Sequence, residues 1–182
     1  MMKLLLSIFK LTTISILTLL NFACVAPGRF QEISDRHIFL VRHAEKQVDG
    51  TRDPSLTKAG QQRAKNLIPI LNDKNISSVY STDYKRTIQT AKPLADEIGT
   101  NVKIYDPDKL NQFAKEIMSL NESILVVGHS NTTPALVELL GGESLGKMTE
   151  SEYSLIYLLK VSENKVTTQR LYSSADSTTT QD

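Results

Sequence analysis

Several residue types are scarce in this chain, and each scarcity excludes a class of protein. Only one cysteine, Cys24, occurs among the 182 residues, and tryptophan is absent. The chain beyond Cys24 therefore has no disulfide, no cysteine-ligated zinc and no thiolate nucleophile. Neither sign of charge dominates, because 21 basic residues stand against 20 acidic ones. A general nucleic-acid binder would show a strong basic excess, so no nucleic-acid partner is expected.

The N-terminal residues, 1–23, have the features of a targeting segment. Lys3 and Lys10 carry the only charges before Cys24, and Leu11–Phe22 is a mainly apolar stretch. An apolar core of about 7–15 residues is typical of signal peptides, whereas a membrane-spanning helix needs about 20. A removed signal peptide is therefore predicted, with a retained anchor as the alternative.

The single cysteine lies where such a signal would be cut. Ala23-Cys24 resembles a bacterial lipoprotein signal, in which the cysteine becomes the lipidated first residue of the mature protein. Asn21 departs from that pattern, because leucine is usual at its position. The alternative is cleavage after Ala26, which would discard Cys24. We expect an exported protein of the periplasm or cell envelope, attached to a membrane by a lipid at Cys24.

The rest of the chain predicts one domain, at 37–172, between a tether at 24–36 and a disordered Ser/Thr-rich tail at 173–182. Apolar, β-prone runs alternate four times with stretches of helical periodicity, and a hairpin turning at Glu163-Asn164 follows. This order predicts an α/β three-layer sandwich whose mostly parallel central sheet has helices on both faces. Thr57 is the expected cap of the first helix, and Ser81 or Thr82 that of the second.

A histidine follows each of two predicted strands. Arg42-His43 follows the run 38–41, and His129 follows the run 124–127 after Gly128. In an open α/β sheet, residues just beyond the carboxyl ends of strands form the ligand crevice. An arginine and two histidines there indicate a site for a phosphoryl group. His37 begins a strand and is interpreted as structural.

The order of these strings resembles the histidine phosphatase superfamily, the phosphoglycerate mutase-like proteins, and in particular its small bacterial phosphatases. The likeness covers nearly all of the chain after the signal and implies the phosphoglycerate mutase-like fold. It is carried by strand-Arg42-His43, Leu56-Thr57-x-x-Gly60, Ser81-Thr82-x-x-x-Arg86-Thr87-x-Gln89-Thr90-Ala91 and strand-Gly128-His129.

The resemblance implies a role for each of these polar residues, and it implies neither a metal nor another cofactor. His43 would be the nucleophile that forms a phosphohistidine. Arg42 and Arg86 would bind the phosphoryl oxygens, and His129 would contact the transferring group. Ser130 and Asn131, where the next helix begins, are expected to bind substrate.

The general acid is less firmly placed by the sequence. In many relatives it lies in the loop after the third strand, which points to Asp106. Glu45, also counted among the substrate-binding candidates, is the second possibility for the acid. Each has a structural alternative, because Asp106 can cap the segment starting at Pro107 and Glu45 can form a salt bridge. Ser130 occupies the position that supplies the acid in phytase-like relatives.

These residues together predict a metal-independent hydrolase of phosphomonoesters or phosphoproteins that acts through a phosphohistidine. A phosphoglycerate mutase-type phosphotransferase is one alternative, although Ala44 replaces the family's usual glycine and Glu45-Lys46 differ from the mutase string. A non-catalytic lipoprotein that binds phosphate or phosphopeptides is the other. The sequence predicts neither the natural substrate nor the oligomeric state.

Overall fold

Six strands and four helices make up the computed structural model, which describes residues 36–149, 151–163 and 165–174. The strands are β1 (Arg36–Arg42), β2 (Ile76–Ser81), β3 (Val102–Ile104), β4 (Ser123–Gly128), β5 (Leu155–Ser162) and β6 (Lys165–Tyr172). The helices are α1 (Lys58–Leu71), α2 (Lys85–Glu97), α3 (Leu110–Ser119) and α4 (Thr132–Leu139), with 3₁₀ turns at Asn72–Lys74 and Pro107–Lys109.

The strands form one mixed sheet in the order β3-β2-β4-β1-β5-β6. β1 to β4 are mutually parallel, and β5 and β6 form an antiparallel hairpin at one edge. The predicted α/β architecture with a mostly parallel sheet is therefore confirmed. β4 is the strand the sequence makes most apolar, and it lies between two parallel neighbours, where both faces are covered.

Two apolar layers cover the sheet, and alternation along β1 shows how they divide. Ile38 and Leu40 pack towards α3 and α4, in a cluster that includes Phe113 and Leu136. Phe39 and Val41 point the other way, towards α1 and α2. Because successive side chains of a strand point to opposite faces, the continuous apolar runs of β1 and β4 serve both layers at once.

The predicted helix caps are confirmed at α1 and wrong at α2. Thr57 Oγ1 accepts a hydrogen bond from the Gly60 N–H at 3.0 Å, as an N-cap residue should. α2 begins only at Lys85, and Tyr84 stands at its cap position without a side-chain bond. Thr82 cannot serve as the cap because its side chain is turned into the protein interior, where it is fully buried.

Glycine at position 60 is required by close packing between α1 and the chain after β1. A Cβ there would lie 2.2 Å from the Glu45 carbonyl oxygen, far inside van der Waals contact. The same carbonyl accepts the Thr57 N–H at 2.8 Å. The Leu-Thr-x-x-Gly string therefore anchors the backbone that immediately follows His43.

Several sequence predictions fall outside the described residues. These are the signal peptide at 1–23, Cys24 with the tether as far as Asp35, and the tail from 175 onward. Ser173, assigned to the tail, is hydrogen-bonded: its N–H donates to the Ser154 carbonyl at 2.8 Å, and its own carbonyl accepts from Arg63. In the described part of the chain, no helix is both long and apolar enough to span a membrane.

Candidate active site

The parallel pairing of β1 with β4 brings the two histidines of the sequence motifs together. Arg42 lies opposite Gly128 in the register, so the next residue along each strand, His43 and His129, leaves the sheet at the same edge. Their ring centroids are 5.7 Å apart at an interplanar angle of 68°. β2 pairs with the other side of β4, and α2, which follows it, carries Arg86 to the same place.

His43 is held in one tautomer by its neighbour. Its Nδ1 lies 2.8 Å from the Ala44 carbonyl oxygen. Because a carbonyl can only accept, Nδ1 carries the proton and Nε2 keeps its lone pair. The ring is 3% exposed. Burial, with the charges of Arg42 and Arg86 adding to it, lowers the pKa of His43 to about 3 despite the bond to Ala44, so the imidazole is neutral.

The Arg42 side chain is oriented by residues that precede β5. This guanidinium is 2% exposed, and its Nη1 donates to the Thr149 carbonyl at 2.7 Å. It also lies over the ring of Tyr153, 4.5 Å from the centroid, where a cation is attracted to the aromatic face. The arginine next to His43 is therefore positioned by a segment more than a hundred residues away in the sequence.

Arg86, at the start of α2, faces both His129 and the opening of the site. Its guanidinium lies 4.4 Å from the ring centroid of Tyr84, and Nη1 is 3.8 Å from Asp53 Oδ1. Its Nη2 is 3.5 Å from His129 Nδ1. The Nε–H is buried and has no acceptor among the described residues. One long ion pair leaves most of the charge of Arg86 available to an anion.

His129 is neutral for the same electrostatic reasons as His43. Burial, followed by the charges of Arg86 and Arg42, lowers the pKa of His129 to about 4. Its Nε2 is 2.9 Å from Thr82 Oγ1. The ring of Tyr84 meets it edge to face at 5.1 Å between centroids. Both imidazoles are thus uncharged in a site whose fixed charges are mainly positive.

These side chains line one cleft of about 380 Å³. Three cations and a single carboxylate face it, which favours an anionic ligand. Ser130 and Asn131, predicted to bind substrate, are part of the lining. In the described ranges no group of three or more His, Cys, Asp or Glu side chains could hold a metal ion. The lining residues are Arg42, His43, Lys46, Tyr84, Arg86, Pro107, Asp108, His129, Ser130, Asn131 and Thr132.

The two residues predicted as general acid do not line the cleft, and each is held elsewhere. Asp106 caps the 3₁₀ turn by accepting the Asp108 N–H at 2.9 Å, and it pairs with Lys109 at 3.1 Å. These two contacts lower the pKa of Asp106, which opposes a role as proton donor. Glu45 binds Arg63 through both carboxylate oxygens, at 2.9 and 2.6 Å.

The pKa of Glu45 follows from that ion pair. Burial raises it, but the hydrogen bonds and charge of Arg63 outweigh burial, so the net shift is downward. The structural alternatives considered for Asp106 and Glu45 are therefore what the structure shows. Asp108, two residues beyond Asp106, is the carboxylate that faces the cleft.

Thr90 and Gln89 of the α2 motif hydrogen-bond to the backbone segments around the cleft. Thr90 Oγ1 accepts the Ala44 N–H at 3.0 Å and donates to the Arg86 carbonyl at 2.7 Å. Gln89 Oε1 accepts the Leu56 N–H at 2.8 Å. The sequence analysis matched Gln89 and Thr90 to the family motif without assigning a role to either residue. It missed Thr82, Tyr84, Asp108 and Tyr153 as site residues, although Thr82 and Tyr84 lie inside the quoted motif.

The model of the histidine phosphatase superfamily (branch 1) matches residues 38–111, from β1 into α3. This match confirms the resemblance to the histidine phosphatase superfamily that the sequence motifs predict. The matched range contains Arg42, His43 and Arg86, while His129 lies beyond it.

The curated proteins similar to this chain carry different names. "Probable phosphoglycerate mutase GpmB" of Yersinia enterocolitica is 36% identical over 76 residues, which are 38% of this chain and 35% of that protein. "Phosphoserine phosphatase 1" of Hydrogenobacter thermophilus is 29% identical over 124 residues, 61% of this chain and 58% of that one. The chain thus spans less than two thirds of the length of these curated relatives.

Solved structures of phosphatases share the fold of this chain. The α-ribazole phosphatase of Shigella flexneri superposes with a TM-score of 0.58 at 16% identity, over 75% of this chain and 96% of that one. A mycobacterial glucosyl-3-phosphoglycerate phosphatase in complex with inorganic phosphate gives 0.57 at 16% identity, over 77% and 98%. At these identities the likeness concerns the fold alone.

We predict that neither His43 nor His129 titrates near neutral pH. With pKa values of about 3 and 4, their ring resonances should not shift between about pH 8 and pH 5 in an NMR titration, whereas an ordinary histidine titrates near 6.5. Below about pH 6.5 these two histidines bind protons in the unfolded chain but not in the native state. The free energy of unfolding should therefore fall as the pH drops from about 6.5 towards 3. A midpoint near 6.5 for either ring would contradict the burial described here.

Proposed function

We propose that this protein is a histidine phosphatase that hydrolyses phosphomonoesters, or phosphorylated side chains of proteins, through a phosphohistidine at His43 and without a metal. The observation that carries the proposal is the bond from His43 Nδ1 to the Ala44 carbonyl. It leaves an unprotonated Nε2 in a cleft with Arg42 and Arg86. A neutral, oriented imidazole beside two guanidinium groups suits attack on phosphorus.

The first half-reaction follows from this geometry. His43 Nε2 forms a bond to phosphorus while the bond from phosphorus to the leaving oxygen breaks. The positive charge that develops on the ring is stabilised by the hydrogen bond from Nδ1 to Ala44. Arg42 and Arg86 neutralise the equatorial oxygens of the phosphoryl group, where charge is concentrated in the transition state. In the second half-reaction water attacks phosphorus, the P–N bond breaks and phosphate leaves.

Loss of the nucleophile should abolish turnover. We expect His43→Ala to lower kcat for an aryl phosphate by more than about a thousandfold, in buffer containing a chelator. The matched control is His37→Ala, because His37 lies on β1 outside the cleft, and its activity should stay near that of the wild type. Radiolabelled phosphate should be trapped on the wild type in an acid-labile form. Wild-type turnover in His43→Ala would refute the mechanism.

The leaving oxygen needs a proton, and Asp108 is the carboxyl group placed to supply it. It lines the cleft with the nucleophile, whereas Asp106 and Glu45 are bound to Lys109 and Arg63. One carboxyl group can protonate the leaving group and then take a proton from the attacking water. In this proposal the general acid stays in the segment after β3, two residues beyond Asp106.

A proton donor matters most for a poor leaving group. Asp108→Asn should lower kcat for an alkyl phosphate by about a hundredfold and should change hydrolysis of p-nitrophenyl phosphate much less. Asp106→Asn is the matched control, because the amide oxygen can still accept the Asp108 N–H that Asp106 now caps. If the alkyl and aryl substrates lost activity equally in Asp108→Asn, the assignment of the acid would be wrong.

A phosphoglycerate mutase-type phosphotransferase is the rival function, favoured by the match to GpmB-named proteins. The two functions differ in their product, because a mutase isomerises phosphoglycerate without net release of phosphate. A protein that binds phosphate tightly and turns over neither substrate would instead be the non-catalytic binding lipoprotein.

We further propose that the protein is exported and attached to a membrane through a lipid at Cys24. The support is the sequence pattern of residues 1–24, in which a charged start and an apolar stretch precede Ala23-Cys24.

Intact-mass analysis of the protein from a membrane fraction tests this attachment. We expect a mature chain that begins at Cys24 and carries acyl groups, and we expect Cys24→Ser to leave the membrane fraction. An unmodified chain beginning at Pro27 would show that Cys24 is discarded with the signal.

A further inference from the structure

The hydrogen bonds of His129 identify which of its nitrogens carries the proton. Arg86 Nη2 lies 3.5 Å from His129 Nδ1, and a guanidinium can only donate. Nδ1 is therefore the nitrogen with the lone pair. Since the ring is neutral, its proton is on Nε2, and it is donated to Thr82 Oγ1 at 2.9 Å.

The hydroxyl of Thr82 is free to accept that bond because its own proton is used elsewhere. Thr82 Oγ1 donates to Thr87 Oγ1 at 3.0 Å. The Thr87 hydroxyl in turn lies 3.0 Å from the Thr82 carbonyl and 2.9 Å from that of Tyr84, and both of these groups can only accept. Donation thus runs in one direction, from His129 through the two hydroxyls to the backbone, and both threonines are fully buried.

We propose that Thr82, supported by Thr87, is a positioning residue that keeps the proton of His129 on Nε2. A phosphoryl group then binds through one proton that is shared between a phosphoryl oxygen and His129 Nδ1. A neutral ring with its lone pair on the cleft side would repel a dianion. A monoanionic phosphate ester carries the proton that this contact needs. At higher pH, where the ester is a dianion, the proton comes from the buffer. No bond other than this O–H···N contact is made or broken.

The cations around His129 act in the same direction as Thr82, and the carboxylate Asp108 opposes them. Arg42 and His43 face His129 from the end of β1, Tyr84 and Arg86 from the start of α2, and Lys46 and Asp108 line the same cleft. The cations oppose a proton on the empty site. A bound phosphoryl group offsets them, so protonation of Nδ1 becomes favourable only with the ligand in place.

Because it concerns the same cleft, the inference rests on the proposed function, but the tautomer can be measured in the free protein without any activity. With ¹⁵N-labelled histidine at about pH 7.5, Nδ1 of His129 should give the signal of an unprotonated ring nitrogen and Nε2 that of a protonated one. Thr82→Val removes the acceptor and should populate the opposite tautomer, whereas Thr82→Ser should keep the wild-type signals. A proton on Nδ1 in the wild type would overturn the proposal.

Thr87→Val provides a second test that leaves Thr82 in place. Without its acceptor, the Thr82 hydroxyl can donate to Nε2, which again favours the opposite tautomer. Thr82→Val and Thr87→Val should each lower kcat by about tenfold, as expected when a buried donor or acceptor loses its partner, and Thr82→Ser should restore it. Thr167→Val, on the edge strand β6, is the control that should change nothing. If Thr82→Val does not fold, the tautomers measured in Thr87→Val and in the wild type test the proposal without it.

Binding of phenylphosphonate measures the shared proton directly, because its dianion carries no O–H and its carbon–phosphorus bond is not hydrolysed. Calorimetry at about pH 8, in buffers of different ionisation enthalpy, should show uptake of close to one proton per phenylphosphonate by the wild type and less by Thr82→Val. Binding without proton uptake would overturn the proposal. A protein with the expected tautomer and proton uptake but no hydrolysis would instead refute the proposed function and leave the assignment of Thr82 intact.

Discussion

The hydrogen bond between the His43 ring and the Ala44 carbonyl is the interaction on which the rest of the site depends. A free imidazole exchanges its proton between two nitrogens and rotates about its side-chain bonds. Here the acceptor is backbone, and that backbone is itself held, by Thr90 at the Ala44 N–H and by the close approach of Gly60 to Glu45. The His43 ring is thus oriented by main-chain packing, and rearrangement of neighbouring side chains need not disturb it.

Burial and positive charge act on the two histidines together. Desolvation disfavours the imidazolium form, and nearby guanidinium groups disfavour it further. Both rings therefore remain neutral where an exposed histidine would be partly charged. The electrostatic repulsion between the two guanidinium groups is offset by aromatic rings. Arg42 lies over the Tyr153 ring and Arg86 over the Tyr84 ring, and an aromatic face stabilises a cation without neutralising it.

The sequence predicted the architecture because apolar runs and helical periodicity report burial directly. It placed Arg42, His43, Arg86 and His129 at one sheet edge for the same reason, since the order of parallel strands brings their carboxyl ends together. It could not predict which carboxylate reaches the cleft, because Asp106 and Asp108 differ only in how a 3₁₀ turn directs them. It also mistook Thr82 for a helix cap, since a threonine after a strand commonly has that role.

The orientation of Arg42 by Thr149 and Tyr153 links the edge hairpin to the cleft. The peptide that leads into β5 lies outside the range matched by the family model, yet it determines where the guanidinium next to His43 points. Changes in the length or rigidity of that peptide would therefore redirect Arg42 while leaving every residue of the Arg-His motif untouched.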